Sequence, residues 1–313
     1  MADVSPSPRD RGQLILVTAL ALAILFVSLA LIVNTAIYTE NLATRGSDIG
    51  GGTEAVRYHE TVRSGVGGLM AFANDNANSS HGDIRSELEA GVEAIDNRTG
   101  RLFAASDRAV TTRLDETVNG TRIEQSEETR AMTNTSDVAD WPVVQDVNQT
   151  RAFTINITDA TLEDAGSGDE FQVILDDGTT KWILNVTDGG TVGITNGTGS
   201  SSCTEGSTPT IDVTAGTVDG ADCDGLELGE GIDTPYDISI RNGDNATGTY
   251  SLIVDNSTLA DDVDDDNNQH LESPGSQPFA TFAVYSANLT AVYQSPQLYY
   301  NTSIRVAPEE ADG

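Results

Sequence analysis

Residues 171–186 read FQVILDDGTTKWILNV, and this stretch decides the fold class of the second half of the chain. Apolar and other side chains alternate on both sides of Asp177-Gly178, a dipeptide that favours tight turns. The apolar positions are Phe171, Val173 and Leu175 before the turn and Trp182, Leu184 and Val186 after it. Because alternate residues of a strand point to the same face, the pattern predicts a β-hairpin with one buried face.

Other short runs of β-branched and aromatic residues lie further along the chain. They occupy residues 236–240, 250–254, 279–293 and 298–306. The first of these leads into the turn-rich RNGDNATG, and the second returns from it, which is typical of paired strands. Between residues 189 and 231 Gly, Ser and Thr dominate, so long loops are expected there. Seven or more short strands predict an antiparallel β-sandwich-like domain over residues 136–313.

The segment before residue 136 is rich in Arg, Glu and Ala and is expected to be helical. Residues 54–73 predict one helix after a break at residues 50–52, and Asp83 is a candidate cap for the next. An apolar stripe at helical spacing follows: Ile84, Leu88, Val92, Ile95, Leu102, Ala109, Leu114 and Val118. This stripe fits either a helical hairpin with residues 54–73 or a stalk that packs on neighbouring subunits. A helical stalk over residues 46–135 is the expectation.

An apolar run lies near the start, from Leu14 to Val33, and is broken only by Thr18 and Ser28. Its length matches the roughly 20 residues that a helix needs to cross a bilayer. Arg9 and Arg11 precede the run, and the next basic residue is Arg45. The positive-inside rule therefore places the head in the cytoplasm and everything after the run outside. The expected fold class is α+β, with a transmembrane helix, a helical stalk or hairpin, and the β domain.

The excess of acidic residues indicates the salt concentration to which this protein is adapted. The 49 acidic residues outnumber 16 basic ones, of which only Lys181 is a lysine, for a net charge of −33. Residues 1–135 carry −6 and residues 136–313 carry −27. An acidic, lysine-poor surface is typical of a halophilic protein, because concentrated salt screens the self-repulsion. No basic patch is present to bind phosphates, which argues against nucleic acid as a partner.

Two further patterns agree with export to the cell surface. N-x-[ST] acceptor sequences for glycosylation all follow the apolar run: Asn78, Asn97, Asn119, Asn134, Asn148, Asn156, Asn185, Asn196, Asn245, Asn256, Asn288 and Asn301. Cys203 and Cys223 are the only cysteines and bracket a stretch with few large apolar residues. They are expected to form a disulfide, the alternative being two free thiols; without further ligands they make a poor zinc site.

The sequence contains no recognisable catalytic motif. His59, His81 and His270 are scattered, lack metal-ligand spacing and are expected to be solvated. Asp262, Asp264 and Asp266 have the first, third and fifth positions of a calcium loop. Asn267 then replaces the required Gly, and Glu272 comes one residue early. No catalytic residue, metal site or cofactor is therefore predicted, and the protein is expected not to be an enzyme.

Arg11-Gly12-Gln13 directly before the apolar run resembles the class III signal of archaeal prepilins. The stretch from Gln13 to Arg45 is also similar to the N-termini of pilin-like membrane proteins of halophilic archaea. The resemblance implies that a prepilin peptidase removes residues 1–12 by cutting after Gly12. It further implies that residues 13–45 form a membrane helix with an extension that contacts lipid and other pilin-like subunits. An ordinary signal peptide cut after Ala30 is the alternative.

Taken together, the residues and the resemblance predict a single-pass, membrane-anchored cell-surface glycoprotein. Its bulk lies outside the cell, and its expected role is that of a pilin-like or minor-pilin subunit. The alternative is an anchored adhesin whose β domain recognises a glycan or a surface-layer partner.

The processing hypothesis is tested at Gly12. The substitution Gly12→Leu should block removal of residues 1–12, since a peptidase site fitted to glycine has no room for a branched side chain. The intact mass of the protein from its native membrane should then include the head, whereas the control Gly46→Leu should be shortened like the unaltered protein. An unaltered protein that already carries residues 1–12 would contradict the hypothesis.

Overall fold

The computed structural model describes residues 50–76, 80–159, 162–197, 199–260 and 270–310. Contacts divide the chain into two compact units, 1–57 and 58–313. In the first unit only residues 50–57 are described, and they are helical. The second unit is a mixed α+β structure in which every pairing between the named strands is antiparallel, as the sequence predicts.

Two helices precede the strands: α1 (Gly50–Asp75) and α2 (His81–Ala104). The prediction for residues 54–73 is confirmed, but the expected break at residues 50–52 is wrong because α1 includes them. Ser80, not Asp83, is the N-cap of α2, and its hydroxyl accepts a hydrogen bond from the backbone N–H of Asp83. The same hydroxyl donates to the Asp83 carboxylate at 2.8 Å. These bonds satisfy a backbone donor that the first turn of a helix leaves open.

The strands follow in chain order and form two sheets. They are β1 (Ala109–Gln125), β2 (Trp141–Val147), β3 (Thr150–Asp159), β4 (Phe171–Asp176), β5 (Lys181–Thr187), β6 (Thr191–Asn196), β7 (Gly199–Thr204), β8 (Thr210–Asp212), β9 (Thr217–Val218), β10 (Ala221–Asp222), β11 (Tyr236–Arg241), β12 (Thr247–Val254), β13 (Phe279–Gln294) and β14 (Tyr299–Val306). The larger sheet has the order β10-β9-β8-β3-β12-β1-β13-β14, and the smaller sheet has the order β2-β11-β4-β5-β6-β7.

The apolar stripe continues as a helix only as far as Ala104. Residues 109–118, predicted as helix, belong instead to β1, whose pairing with β13 runs from Ala109↔Gln294 to Glu124↔Phe279. A turn with Asp107 in the left-handed conformation separates helix from strand. The density of Val and Thr in β1 explains the outcome, because β-branched side chains favour extended backbone. Leu102, predicted to be on the buried stripe, is 66% exposed.

The predicted boundary at residue 136 is therefore wrong, since β1 lies inside the larger sheet. The helices do not form a separate stalk: from Tyr58 onward they pack against that sheet. Asn74 makes two hydrogen bonds with the backbone of Val284 in β13, donating to its C=O at 3.1 Å and accepting from its N–H at 2.9 Å. The Asp96 carboxylate of α2 accepts from the N–H of Thr112 in β1 at 2.7 Å. The domain of helices and sheets is continuous.

Small residues allow the two helices to approach each other closely. A Cβ on Gly91 of α2 would come within 2.7 Å of Leu69 in α1, and one on Gly65 would be 3.3 Å from Ile95. Buried residues of α2 include Ile84, Leu88 and Val92, so these positions of the stripe pack against other residues of the same chain. Of the two alternatives for the stripe, packing within the same chain is the one observed.

The two sheets share one hydrophobic core. Buried side chains of the smaller sheet, such as Trp182 and Leu184, belong to the same cluster as Ile155 and Leu252 of the larger sheet. The hairpin predicted around Asp177-Gly178 is confirmed as β4–β5, with Leu175 opposite Trp182. A sheet-on-sheet arrangement of this kind buries the inner face of every central strand.

Two other sequence expectations need correction. The segments 236–240 and 250–254 are strands, but β11 belongs to the smaller sheet and β12 to the larger one. The turn-rich segment between them crosses from sheet to sheet and does not close a hairpin. The region 189–231, expected to be long loops, contains five short strands, β6 to β10. Strands this short, and rich in Ser and Thr, give too few alternating apolar positions to be recognised from the sequence.

No helix among the described residues is long and apolar enough to cross a membrane. The apolar run at residues 14–33, the signal residues Gly12 and Gln13, and the whole of the proposed segment 13–45 lie outside the described ranges.

The joint between α1 and the sheet is testable at Asn74, which is 3% exposed. Asn74→Ala leaves the buried N–H of Val284 without its partner and should lower the free energy of unfolding by about 2 kcal/mol. Urea denaturation monitored by tryptophan fluorescence measures this value, because both tryptophans lie in the smaller sheet. The control Asn76→Ala, at an exposed position two residues later, should change it by less than about 0.5 kcal/mol. An unchanged midpoint for Asn74→Ala would mean that the helices unfold independently of the sheets.

Candidate functional site

The disulfide is the first feature that bears on function. Cys203 and Cys223 are bonded, with Cα atoms 5.9 Å apart, so the predicted pair is confirmed in the structure. Cys203 lies in β7, the edge strand of the smaller sheet, and Cys223 follows β10, the edge strand of the larger sheet. The bond therefore links the edges of two different sheets. A crosslink at this place prevents the sheets from separating along that side.

The segment between the cysteines is better packed than the sequence suggests. Ile211, Val213 and Val218 are each 0% exposed and belong to the shared core. Few apolar residues occur in this stretch, but nearly all of them point inward. The disulfide therefore reinforces an anchored segment and does not merely restrain a loose loop.

The structure sorts the predicted glycosylation sites by exposure. Asn97, Asn119, Asn148 and Asn301 are exposed. Partly exposed sites are Asn156, Asn185, Asn196, Asn245, Asn256 and Asn288. Asn78 lies outside the described residues. In three of the partly exposed sites the side-chain amide nitrogen, which would carry the sugar, donates a hydrogen bond: Asn196 to Glu230, Asn245 to the C=O of Asp169, and Asn256 to the C=O of Gln145.

Asn134 is buried and cannot carry a glycan in the folded protein. It is 2% exposed, and its side-chain oxygen accepts from the backbone N–H groups of Ser136 and Val138, both at 2.9 Å. Its side-chain nitrogen lies 3.0 Å from Nδ1 of His270. The role of this asparagine is to fix a loop, so the structure removes it from the accessible acceptors.

The prediction that all three histidines are solvated is wrong for His81 and His270, whose rings contact other residues. The His270 ring lies against Trp141, with ring centroids 6.3 Å apart, besides its contact with Asn134. Nε2 of His81 is 2.8 Å from the C=O of Gly120, and its ring meets Phe282 edge-on. Both rings serve packing, and they lie on different parts of the fold. His59 is partly exposed on α1.

No group of three or more His, Cys, Asp or Glu that could hold a metal ion occurs among the described residues. The acidic cluster Asp262, Asp264 and Asp266 lies outside them. Between the sheets there is a void of only about 10 Å³, lined by apolar side chains including Phe153 and Tyr250. That volume is at the lower limit for one water molecule, so this void is not a ligand site.

A buried arginine holds the C-terminal segment, a feature that the sequence analysis does not identify. Arg151 in β3 is 2% exposed, and its guanidinium donates three hydrogen bonds of 2.8–2.9 Å to main-chain carbonyls. The acceptors are Val284, Tyr285 and Pro308. Burial lowers the pKa of Arg151 to about 10, although the group stays charged at neutral pH. Carbonyl oxygens thus replace water around this cation and join β3, β13 and the segment after β14.

An acidic residue completes this joint. The Tyr285 hydroxyl donates to the Glu310 carboxylate at 2.8 Å, and Arg305 forms an ion pair with the same carboxylate. Partial burial alone would raise the pKa of Glu310, but the hydrogen bonds from Arg305 and Tyr285 outweigh it and lower that pKa. Burial is also the main reason that the pKa of Tyr285 is raised. Tyr285 and Arg305 are thus bound to Glu310, which also lines an open cleft of about 520 Å³ between α1 and the segment after β14.

The β4–β5 turn contains a second local network. The Asp177 carboxylate accepts from the Thr179 hydroxyl and from the backbone N–H groups of Thr180, Asp233 and Thr179, and these bonds lower its pKa. The bond from Asp233 ties the turn to the segment before β11. This aspartate therefore shapes the loop, and it serves as a cap for backbone donors.

The geometry defines a class: a disulfide-linked, two-sheet antiparallel β domain with two helices packed on one sheet. A family model described as "Family of unknown function (DUF7261)" matches residues 8–154. This match runs through α1, α2, β1 and β2 into β3, and so crosses the boundary that the sequence predicts at residue 136. The comparisons with curated proteins and with solved structures each give no match.

The energetic role of the disulfide is testable with the double variant Cys203→Ser/Cys223→Ser. The bond closes a loop of sequence separation 20, and its loss should lower the free energy of unfolding by about 3 kcal/mol in the chain-entropy account. Urea denaturation in the presence and absence of a reductant provides the comparison. The reduced unaltered protein should match the double variant, which itself should not respond to the reductant. Equal stability of the oxidised protein and the variant would show that the sheets need no crosslink.

Proposed function

We propose that this protein is a non-enzymatic, membrane-anchored cell-surface protein, with a pilin-like or minor-pilin subunit as its specific role. In this proposal residues 14–33 anchor the chain, the head lies in the cytoplasm, and the domain described above faces the outside. Lipid is then the partner of the anchor, and a prepilin peptidase acts at Gly12.

The disulfide between the two sheets is the observation that carries the proposal of an outside location. Disulfides persist in oxidising surroundings and are rare in a reducing cytosol. Cys203 and Cys223 use all the cysteine in the chain, and their bond joins the outer strands of both sheets. A structural crosslink at such a position favours a protein that folds after it has left the cytoplasm.

Charge supports the same location. The described domain carries most of the excess acid, whereas the two arginines before the apolar run are the basic residues of the head. Arg9 and Arg11 lie directly before the apolar run and the next basic residue is Arg45, a distribution that matches the orientation with the N-terminus inside. In concentrated salt, the acidic surface would keep the outer domain soluble and separate from its neighbours.

The packing of the helices limits how a pilin-like subunit of this chain could assemble. The apolar stripe of α2 is occupied by contacts within the chain, as the burial of Ile84, Leu88 and Val92 indicates. Contacts between subunits would therefore depend on the apolar run at residues 14–33, for which the resemblance to prepilins implies the same use, and on exposed apolar side chains such as Leu102. Recovery of the protein in sheared filaments would favour assembly. A protein that stays in the membrane fraction would favour the anchored adhesin.

The single lysine provides a direct test of location. Lys181 lies at the start of β5, its side chain is 50% exposed, and its ammonium is 2.8 Å from the Asp176 carboxylate. A membrane-impermeant, amine-reactive ester added to intact cells should label this residue if the β domain is outside. Peptide mass spectrometry of the full chain, purified after quenching, identifies the labelled position.

Lys181→Arg is the matched control, because it keeps the positive charge beside Asp176 and removes the reactive amine. Label on the 181 peptide should disappear in this variant. Labelling of Lys181 only after the cells are broken would place the domain inside and overturn the proposal.

A further inference from the structure

The strand β14 is the outer strand of the larger sheet and pairs with β13 alone among the described strands. One row of its backbone N–H and C=O groups therefore has no strand partner there. Such an edge can pair with a strand of another molecule, and proteins commonly prevent this by placing charges on it. We therefore examined which residues could prevent β14 from pairing with a strand of another molecule.

Charge does not protect β14. Residues 273–308 contain no Asp or Glu, although the chain as a whole has 49 of them. Arg305 is the one charged residue of the strand, and it is already paired with Glu310. Tyr299, at the start of the strand, is 65% exposed. In a chain with a net charge of −33, this edge is both without a strand partner and nearly uncharged.

The same strand carries an acceptor sequence with unusual access. Asn301 and Ser303 lie two residues apart in extended backbone, so their side chains share one face. Both are exposed. The acceptor sequence N-x-[ST] needs the asparagine and the hydroxyl together. An enzyme that acts on the folded protein must therefore reach both side chains.

The other exposed asparagines lack an accessible hydroxyl. Their partner threonines are Thr99 for Asn97, Thr121 for Asn119 and Thr150 for Asn148, at 9%, 0% and 4% exposure. The hydroxyls of these residues are bonded inside, for example Thr121 to the C=O of Asn256 at 2.7 Å. Among the acceptor sequences whose two positions are both described, Asn301 and Ser303 form the one pair with both side chains exposed.

We infer that Asn301 is the N-glycosylation site that the folded domain presents, and that its glycan shields the open edge of β14. This inference rests on the proposed outside location. The donor would be a glycosyl phosphate. Nδ2 of Asn301 bonds to the anomeric carbon and loses one proton, while the bond from that carbon to the phosphate oxygen breaks and the phosphate leaves. A bulky, hydrated group beside Tyr299 then does what charge does on other edge strands.

The test compares occupancy at each acceptor sequence in the full chain purified from its native membrane. Glycopeptide mass spectrometry should find sugar on the peptide that contains Asn301. The peptides that contain Asn97, Asn119, Asn148 and Asn134 should have their unmodified masses. Ser303→Ala should abolish the modification at Asn301, whereas Ser303→Thr, which keeps a hydroxyl at the same place, should retain it.

Shielding has its own measurement, sedimentation velocity of these two purified variants at equal protein concentration and in the same salt. The Ser303→Ala protein should form dimers and larger species, and the Ser303→Thr protein should stay monomeric. Asn97→Gln, a change at an exposed acceptor on α2, should not increase association.

Four outcomes would overturn the inference. An unmodified Asn301 in a protein whose Lys181 is labelled from outside would refute the site but leave the proposed function in place. Equal occupancy of all exposed asparagines would mean that the sugars are added before folding, so that edge access does not select the site. Occupied Asn301 with no change in association for Ser303→Ala would refute the shielding role. If Lys181 were instead shielded inside the cell, the proposed function and this inference would fail together.

Discussion

The pairing of β1 with β13 is the constraint on which the rest of the structure depends. These two strands are paired from Ala109↔Gln294 to Glu124↔Phe279. The pairing is long enough for one part to contact the helices and another part to contribute to the core between the sheets. One part of the ribbon supports the helices through Thr112 and Val284, and Ile123 of β1 belongs to the core between the sheets. Helices and sandwich are therefore stabilised together. The disulfide acts at the opposite edge of the larger sheet, where the strands are shortest and the ladder is weakest.

The parts of the fold that the sequence predicts are those decided by neighbouring residues. The β4–β5 hairpin needs only alternation and the turn at Asp177-Gly178, and both are local. The sequence predicts a helix for the first part of β1, because Ala109, Leu114 and Val118 lie at roughly helical spacing. Pairing with a distant strand overrides such a sparse pattern. The sequence also does not predict that β12 lies in a different sheet from β11, because no local signal distinguishes a crossing segment from a hairpin turn.

The candidate site follows the same division. The disulfide is predictable, since a chain with two cysteines allows only one intramolecular pairing. Acceptor asparagines are found from a three-residue pattern, but this pattern does not show whether the asparagine is accessible in the folded protein. Asn134 is buried, whereas Asn301 lies on an edge strand. The role of Arg151 depends on three carbonyls brought together by two later segments of the chain. No spacing within the sequence announces a site of that kind.

The separation between β1 and β13 along the chain also determines when the domain can be completed. Synthesis proceeds from the N-terminus, so the helices and β1 emerge from the ribosome long before residues 279–294. Contacts between distant residues form slowly, because a large loop must close before they contribute any stability. Until β13 arrives, β1 has an open side and the helices have no complete sheet to cover. The last strands to be synthesised are thus the ones that make the first elements stable, so a chain truncated before β13 would leave its own beginning unassembled.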